Sequence, residues 1–219
     1  MILILRGHLR TSFKDEHLYM FIKSLSELYT DLKIYIHTWS VLQSKISWRP
    51  LEENLVPVTE SLVLNYFKDM APRIQKIIID DDEKITLIGA TEGLIRLTQA
   101  PLIGWKRYWY GKYQIAKYLK ETADSTEPII NTRFDIFHLP YYSLKEDALF
   151  SFLQANPRPT KNRFLRDGCF PGMDNFYIGT VDSQFRLAER FHHQLDYILD
   201  FHKNIFIDYQ EYYLHYAGL

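Results

Sequence analysis

The chain has 219 residues, 47% hydrophobic and 24% charged, with a formal net charge of −1. Those proportions exclude a disordered chain, a collagen-like chain and a coiled coil. The near-neutral charge excludes a protein drawn to nucleic acid or an anionic membrane by its overall field. At this length area scaling predicts one domain with roughly 10,600 Å² of folded surface, burying about 70% of what the unfolded chain exposes. A single cysteine, Cys169, rules out an intrachain disulfide and a cysteine-rich zinc site. No apolar run reaches the roughly eighteen residues of a membrane span, and the apolar start before Arg6 is too short for a signal-peptide core. A cytoplasmic protein is expected, touching a membrane at most from its inner face. Aromatic residues make up 16% of the chain. Most must be core, although Tyr and Trp also suit stacking in clefts.

In chain order, Ile2 to Leu5 is a short apolar run that reads as a buried parallel strand. A loop, Arg6-Gly7-His8-Leu9-Arg10, follows. Ser12 with Asp15 resembles a capping box, and Leu18, Phe21, Ile22, Leu25 and Leu28 recur at helical spacing. Leu32 to Trp39 predicts a second strand, so the opening reads β-α-β with parallel strands and a right-handed crossover. Residues 41–57 read as loop and 59–70 as helix. Lys76 to Asp80 reads as a strand before the acidic turn Asp80-Asp81-Asp82-Glu83. Residues 84–103 read as loop with short pieces. Trp105, Tyr108, Trp109, Tyr113, Ala116 and Leu119 mark a helix, and Ile129 to Phe137 predicts a strand. A short helix over 144–154 and a basic, Pro- and Gly-containing loop over 156–175 come next. Phe176 to Ile178 reads as a strand, Val181 to Leu199 as a long helix, and the tail is aromatic.

No Walker loop, G-x-G-x-x-G, H-E-x-x-H, G-x-S-x-G or C-x-x-C is present. Three features carry chemistry. In the loop after the first strand, Arg6 and Arg10 flank Gly7 and His8 ahead of a helix, a pattern that suits a phosphate or diphosphate. The alternative is a basic surface loop. In Asn131-Thr132-Arg133-Phe134-Asp135, strand alternation projects Arg133 and Asp135 to one side and Phe134 to the other. The carboxylate suits a divalent cation and the guanidinium an anion; the alternative is an ion pair that satisfies two buried charges. In Gly172-Met173-Asp174-Asn175-Phe176, Asp174 suits a general base, or a turn. Asp80-x-Asp82 is a competing metal candidate against a solvated acidic turn. His192-His193 is a poor chelate, since adjacent helix positions point about 100° apart.

Taken in order, these strings resemble bacterial surface-polysaccharide glycosyltransferases. Ile-Leu-Ile-Leu-Arg-Gly-His-Leu-Arg-Thr at the start resembles their strand and Gly-His/Gln-x-Arg-Thr loop. Tyr35-Ile36-His37-Thr38-Trp39 resembles their second strand, residues 129–135 their Arg-Thr-Arg-x-Asp strand, and residues 174–179 an Asp-x-Phe-x-x-Gly segment. The resemblance spans about residues 1–185. It implies a single α/β domain of GT-A-like fold, with a Rossmann-like mixed sheet flanked by helices. Residues 1–137 would be a nucleotide-sugar-binding half, and residues 138–219 an acceptor half with the C-terminal helix. It implies a nucleotide-sugar donor in a pocket lined by Gly7, His8, Arg10, His37 and Trp39, and a glycan or lipid-linked acceptor. Asp135 would hold a divalent cation, Mn²⁺ or Mg²⁺, as the second Asp of an Asp-x-Asp motif. The first position of that motif is Arg133 here, which can itself neutralise a leaving diphosphate. Asp174 is the expected base. Arg158, Lys161, Arg163 and Arg166 can meet an anionic acceptor, or form a solvated loop. Two rivals stand beside this reading: a non-catalytic carbohydrate- or nucleotide-binding module of a polysaccharide assembly complex, and a phosphotransferase with an unfamiliar phosphate loop.

Overall fold

Residues 1–46, 51–95, 100–138, 144–165, 175–203 and 213–214 are described by a computed structural model. Its accessible surface, 10967 Å², matches the size-scaling expectation. The first strand, β1 (Ile2–Arg6), is buried along its whole length, as a strand with neighbours at both edges and layers on both faces must be. After it come α1 (His17–Leu28), β2 (Lys33–Trp39), β3 (Val41–Gln43), β4 (Asn54–Pro57) and α2 (Glu60–Phe67). A 3₁₀ turn (Lys68–Arg73) leads into β5 (Ile74–Asp80), β6 (Leu94–Ile95), β7 (Ala100–Pro101) and α3 (Leu102–Thr122). The chain continues with β8 (Pro128–Arg133), α4 (Glu146–Ala155), β9 (Arg163–Phe164), β10 (Phe176–Thr180) and α5 (Val181–Phe201).

The main sheet has six strands in the order β5-β2-β1-β8-β10-β9. The four strands from β5 to β8 are parallel, while β10 runs antiparallel to β8 and β9 antiparallel to β10. This is the expected α/β fold: one domain on a Rossmann-like mixed sheet with helices on both faces. Strand alternation sorts the side chains. Leu3, Leu5, Ile34, Ile36 and Ile130 face one side and share a core with Leu18, Phe21, Ile22 and Leu25 of α1. Ile2, Ile4, Tyr35 and Ile129 face the other side and pack on Ile115 and Leu119 of α3. Behind α3, Trp109 stacks on Phe191 of α5 with ring centroids 4.3 Å apart, in a cluster that includes Trp105 and Tyr213.

Several expectations are corrected. Residues 41–57 are not all loop, because β3 and β4 pair as a short antiparallel hairpin with no periodic apolar run to announce it. Likewise β6 and β7 pair within 84–103. The strand predicted over 129–137 stops at Arg133, and His138 donates to the Asp135 carbonyl across a turn at 2.9 Å. Phe134 and Ile136 in that turn are fully buried, so burial alone mimics strand alternation there. The capping box at Ser12 does not form. Helix α1 starts at His17, whose N–H donates to the Asp15 carboxylate, while Ser12 is buried in the preceding turn. A true capping box closes the start of α5, between Thr180 and Ser183. No helix among the described residues is long and apolar enough to cross a membrane.

Candidate active site at the carboxyl edge of β1 and β8

From β1 the chain runs through α1 on one face to β2 and β5, then returns through α3 on the opposite face to β8, on the other side of β1. The connections therefore diverge between β1 and β8. In open α/β sheets such a switch point leaves a crevice outside the carboxyl ends of the strands. Register places Arg6 beside Arg133 there, and Phe134 N–H donates to the Arg6 carbonyl at 3.3 Å.

Two left-handed residues shape the loop that rims this crevice. Gly7 (φ +95°) donates its N–H to the His37 carbonyl at 3.1 Å, and its own carbonyl accepts from the Thr38 hydroxyl at 3.0 Å. Glycine meets that φ without penalty. Arg10 (φ +51°) does not, and the conformation costs about 1 kcal/mol. Its position is fixed from both ends, since its N–H donates to the Leu42 carbonyl and its Nη1 lies 2.6 Å from Asp135 Oδ2.

Asp135 is the centre of the arrangement. Arg133 Nε meets Oδ1 at 2.7 Å and Arg133 Nη2 meets Oδ2 at 2.7 Å, a bidentate fork. Side-chain exposure is 4% for Asp135, 17% for Arg10 and 20% for Arg133, so one carboxylate is enclosed by two cations in a largely dry place. Burial alone would push its carboxyl up; the guanidiniums of Arg133 and Arg10 outweigh burial and hold it well below the usual carboxylate range.

A third cation lies close by on α3. Residues 107, 110 and 111 share one helix face by i, i+3, i+4 spacing, and that face covers the carboxyl end of β2. Arg107 Nη1 lies 2.7 Å from Asp82 Oδ2, with Asp82 5% exposed. Tyr110 stacks on Trp39 at 6.1 Å. A Cβ on Gly111 would sit 2.5 Å from the His37 ring, so the helix backbone rests on that imidazole. His37 Nε2 is 3.1 Å from Asp80 Oδ2. The His8 ring lies 5.9 Å from Trp39. His8 is pushed down to about 3, by burial first and then by Arg10 and Arg107, so it is neutral at physiological pH.

Three buried polar atoms here have no hydrogen-bond partner among the described residues: Arg10 Nε, Arg107 Nε and His8 Nε2. A buried donor left unmade costs about 1–3 kcal/mol. Two of the three are guanidinium N–H donors, which acceptors from outside the chain can satisfy.

The structure thus brings Gly7, His8, Arg10, Arg133 and Asp135 to one edge, with Trp39 (4% exposed) and His37 (1% exposed) packed beneath α3. Arg133 and Asp135 share a side through the turn after β8, not through strand alternation. Asp174 lies outside the described residues, as do Gly172, Met173, Cys169, Arg166 and most of the aromatic tail. Its neighbour Asn175 does reach the edge. The side-chain oxygen of Asn175 accepts from Arg133 Nη1 at 3.3 Å, and its carbonyl accepts from the Thr132 hydroxyl at 3.1 Å. Arg158, Lys161 and Arg163 are exposed. Asp82 is no solvated turn residue: burial and Arg107 claim it. Sequence reasoning missed Arg107, Tyr110 and Asn175. No sequence signal marks the first two, because only the fold shows which face of α3 covers β2.

The fit for a divalent cation is poor. Such ions want several oxygen ligands, preferably more than one carboxylate. Both oxygens of Asp135 are turned to guanidiniums, Asp80 faces His37 and Asp82 faces Arg107. Among the described residues no three His, Cys, Asp or Glu side chains converge as a metal site.

Fold and site define an α/β chain with a cation-rich crevice at the switch point of a mixed sheet. No known protein family and no curated protein matches the sequence. Among solved structures the chain is similar to an active-site mutant of LgtC, a glycosyltransferase, at 11% identity and a TM-score of 0.46, over 98% of this chain and 69% of that one.

Proposed function

We propose that the chain is a glycosyltransferase that moves a sugar from a nucleotide-sugar donor to a glycan or lipid-linked acceptor in surface polysaccharide synthesis. The observation that carries the reading is the pair of guanidiniums, Arg10 and Arg133, fixed around buried Asp135 at the switch point. Breaking the bond between the anomeric carbon and the donor's diphosphate oxygen leaves negative charge on the nucleoside diphosphate. Preorganised cations in a low-dielectric edge lower that barrier most. The acceptor oxygen forms the new bond to the anomeric carbon and gives up its proton. In an inverting transfer Asp174 is our choice of base, supported by the contact of Asn175 with Arg133. Gly7 and His8 form the floor of the donor site, with Trp39 and His37 supporting it from below. Residues 1–137 serve the donor and 138–219 the acceptor, at the cytoplasmic side with at most peripheral membrane contact.

A thermal-shift panel of nucleotide-sugars and nucleoside diphosphates tests the proposal on the wild type and Arg10→Gln. A ligand at 100 times its dissociation constant adds about 2.7 kcal/mol. The expected result is a selective shift that Arg10→Gln loses, with release of nucleoside diphosphate from the same donor. Binding of the donor without turnover in the presence of candidate acceptors would favour the non-catalytic module. A response to nucleoside triphosphates alone would favour a phosphotransferase.

A further inference from the structure

Resting on that reading, we infer that the diphosphate is bound without a metal ion, by Arg10, Arg107 and His8. Asp135 then acts as the counter-ion that aims two guanidiniums and not as a cation ligand. A cation at Asp135 would have to displace Arg10 from Oδ2 and Arg133 from both oxygens, at contacts of 2.6–2.7 Å. The displaced guanidiniums would then lie beside the incoming dication. The neighbouring carboxylates give no second ligand, because Asp80 faces His37 at 3.1 Å and Asp82 faces Arg107 at 2.7 Å.

Charge and valence favour an anion. Arg6, Arg10, Arg107 and Arg133 stand against Asp80, Asp82 and Asp135, leaving one surplus positive charge among these residues in a poorly solvated edge. Each of two guanidiniums spends a terminal nitrogen on its carboxylate and keeps a buried Nε with no partner among the described residues. A diphosphate offers several acceptor oxygens and two charges, which suits a fork of this kind better than a point charge does. Arg107 comes from α3, on the face that also carries Tyr110 against Trp39, and Trp39 in turn neighbours His8. The three unpartnered atoms therefore belong to one neighbourhood supplied by the β1 loop and α3. His8, kept neutral, can hydrogen-bond there without adding charge of its own.

Calorimetric titration of the full chain with the nucleotide that gives the thermal shift, in EDTA and again in Mn²⁺, tests the inference. The dissociation constants should agree within about threefold. Arg107→Gln should weaken binding about 10- to 100-fold, as expected for a lost charge-assisted hydrogen bond. Asp82→Asn, which frees Arg107 from its carboxylate, should tighten binding or leave it unchanged; a purely structural Arg107–Asp82 pair would make both variants weaken it alike. Binding seen only with Mn²⁺, or parallel losses in the two variants, overturns the inference while the transferase reading stands. No binding in either buffer overturns both. The wild-type comparison needs no variant, so a poorly folding mutant does not blunt it.

Discussion

The two ends of the parallel sheet carry ion pairs of opposite character. At the amino end, Lys33 pairs with Glu127 at 3.1 Å and the chain terminus with Asp31 at 2.9 Å, and each pair has one well-exposed member, Lys33 at 45% and Asp31 at 71%, beside a partner at 17% and 10%. At the carboxyl end, Asp135 and Asp82 are 4% and 5% exposed and face arginines. Exposed pairs contribute little, because water and salt screen them. Buried pairs cost desolvation that well-packed apolar residues would avoid, so stability alone is a weak reason to keep them. One end of this sheet is ordinary surface; the other gives up stability to hold charges in place.

The largest expected effect is at Asp135. Asp135→Ala leaves Arg10 and Arg133 buried against each other and should cost about 3–5 kcal/mol in urea unfolding. Replacing Arg10, Arg133 and Asp135 together by Gln, Met and Leu should cost much less, since no charge of the group is stranded, yet should abolish donor binding. Next comes Gly111→Ala. Alanine gains up to about 1 kcal/mol in helix propensity, but the added methyl meets the His37 ring at 2.5 Å. Overpacking typically costs about 1–3 kcal/mol, so a net loss and displacement of His37 are expected.

A pH titration sharpens the contrast further. The folded His8 value, about 3, lies below its ordinary 6.5, so between those values the unfolded chain takes up a proton that the folded chain refuses. Stability from this group is complete above pH 6.5 and is lost as pH falls toward 3, with a slope approaching about 1.4 kcal/mol per pH unit. His8→Gln should flatten that slope. His192, pushed down to about 4 by burial, then His193 and Lys106, acts in the same direction. Asp135, held low, withdraws its contribution only below the usual carboxylate range. The smallest effect belongs to the amino end. Lys33→Ala should cost at most about 1 kcal/mol, and less in high salt.

Much of this edge was legible in advance. The run Ile2 to Leu5, the glycine after it and the strand ending His37-Thr38-Trp39 predicted parallel neighbours whose carboxyl ends meet. Arg133 and Asp135 were expected together, although a buried turn passed for strand because Phe134 and Ile136 alternate with polar residues. Arg107 was not legible. It sits among the lysines of α3 and reads as solvated face, and only the fold shows that this face covers β2. Asp82 was hidden in the same way, inside a run of acids whose other members, Asp80, Asp81 and Glu83, do meet solvent.

The cations that the β1 loop and α3 bring to the carboxyl edge of the sheet are expected to receive a nucleotide diphosphate. A crystal structure of the chain with the bound nucleotide-sugar tests it most directly. The account predicts the diphosphate at the carboxyl ends of β1 and β8, within hydrogen-bond distance of Arg10 and Arg107, with the Arg133–Asp135 fork intact. A diphosphate bound elsewhere on the chain, or a metal ion seated on Asp135 with Arg10 displaced, would contradict it.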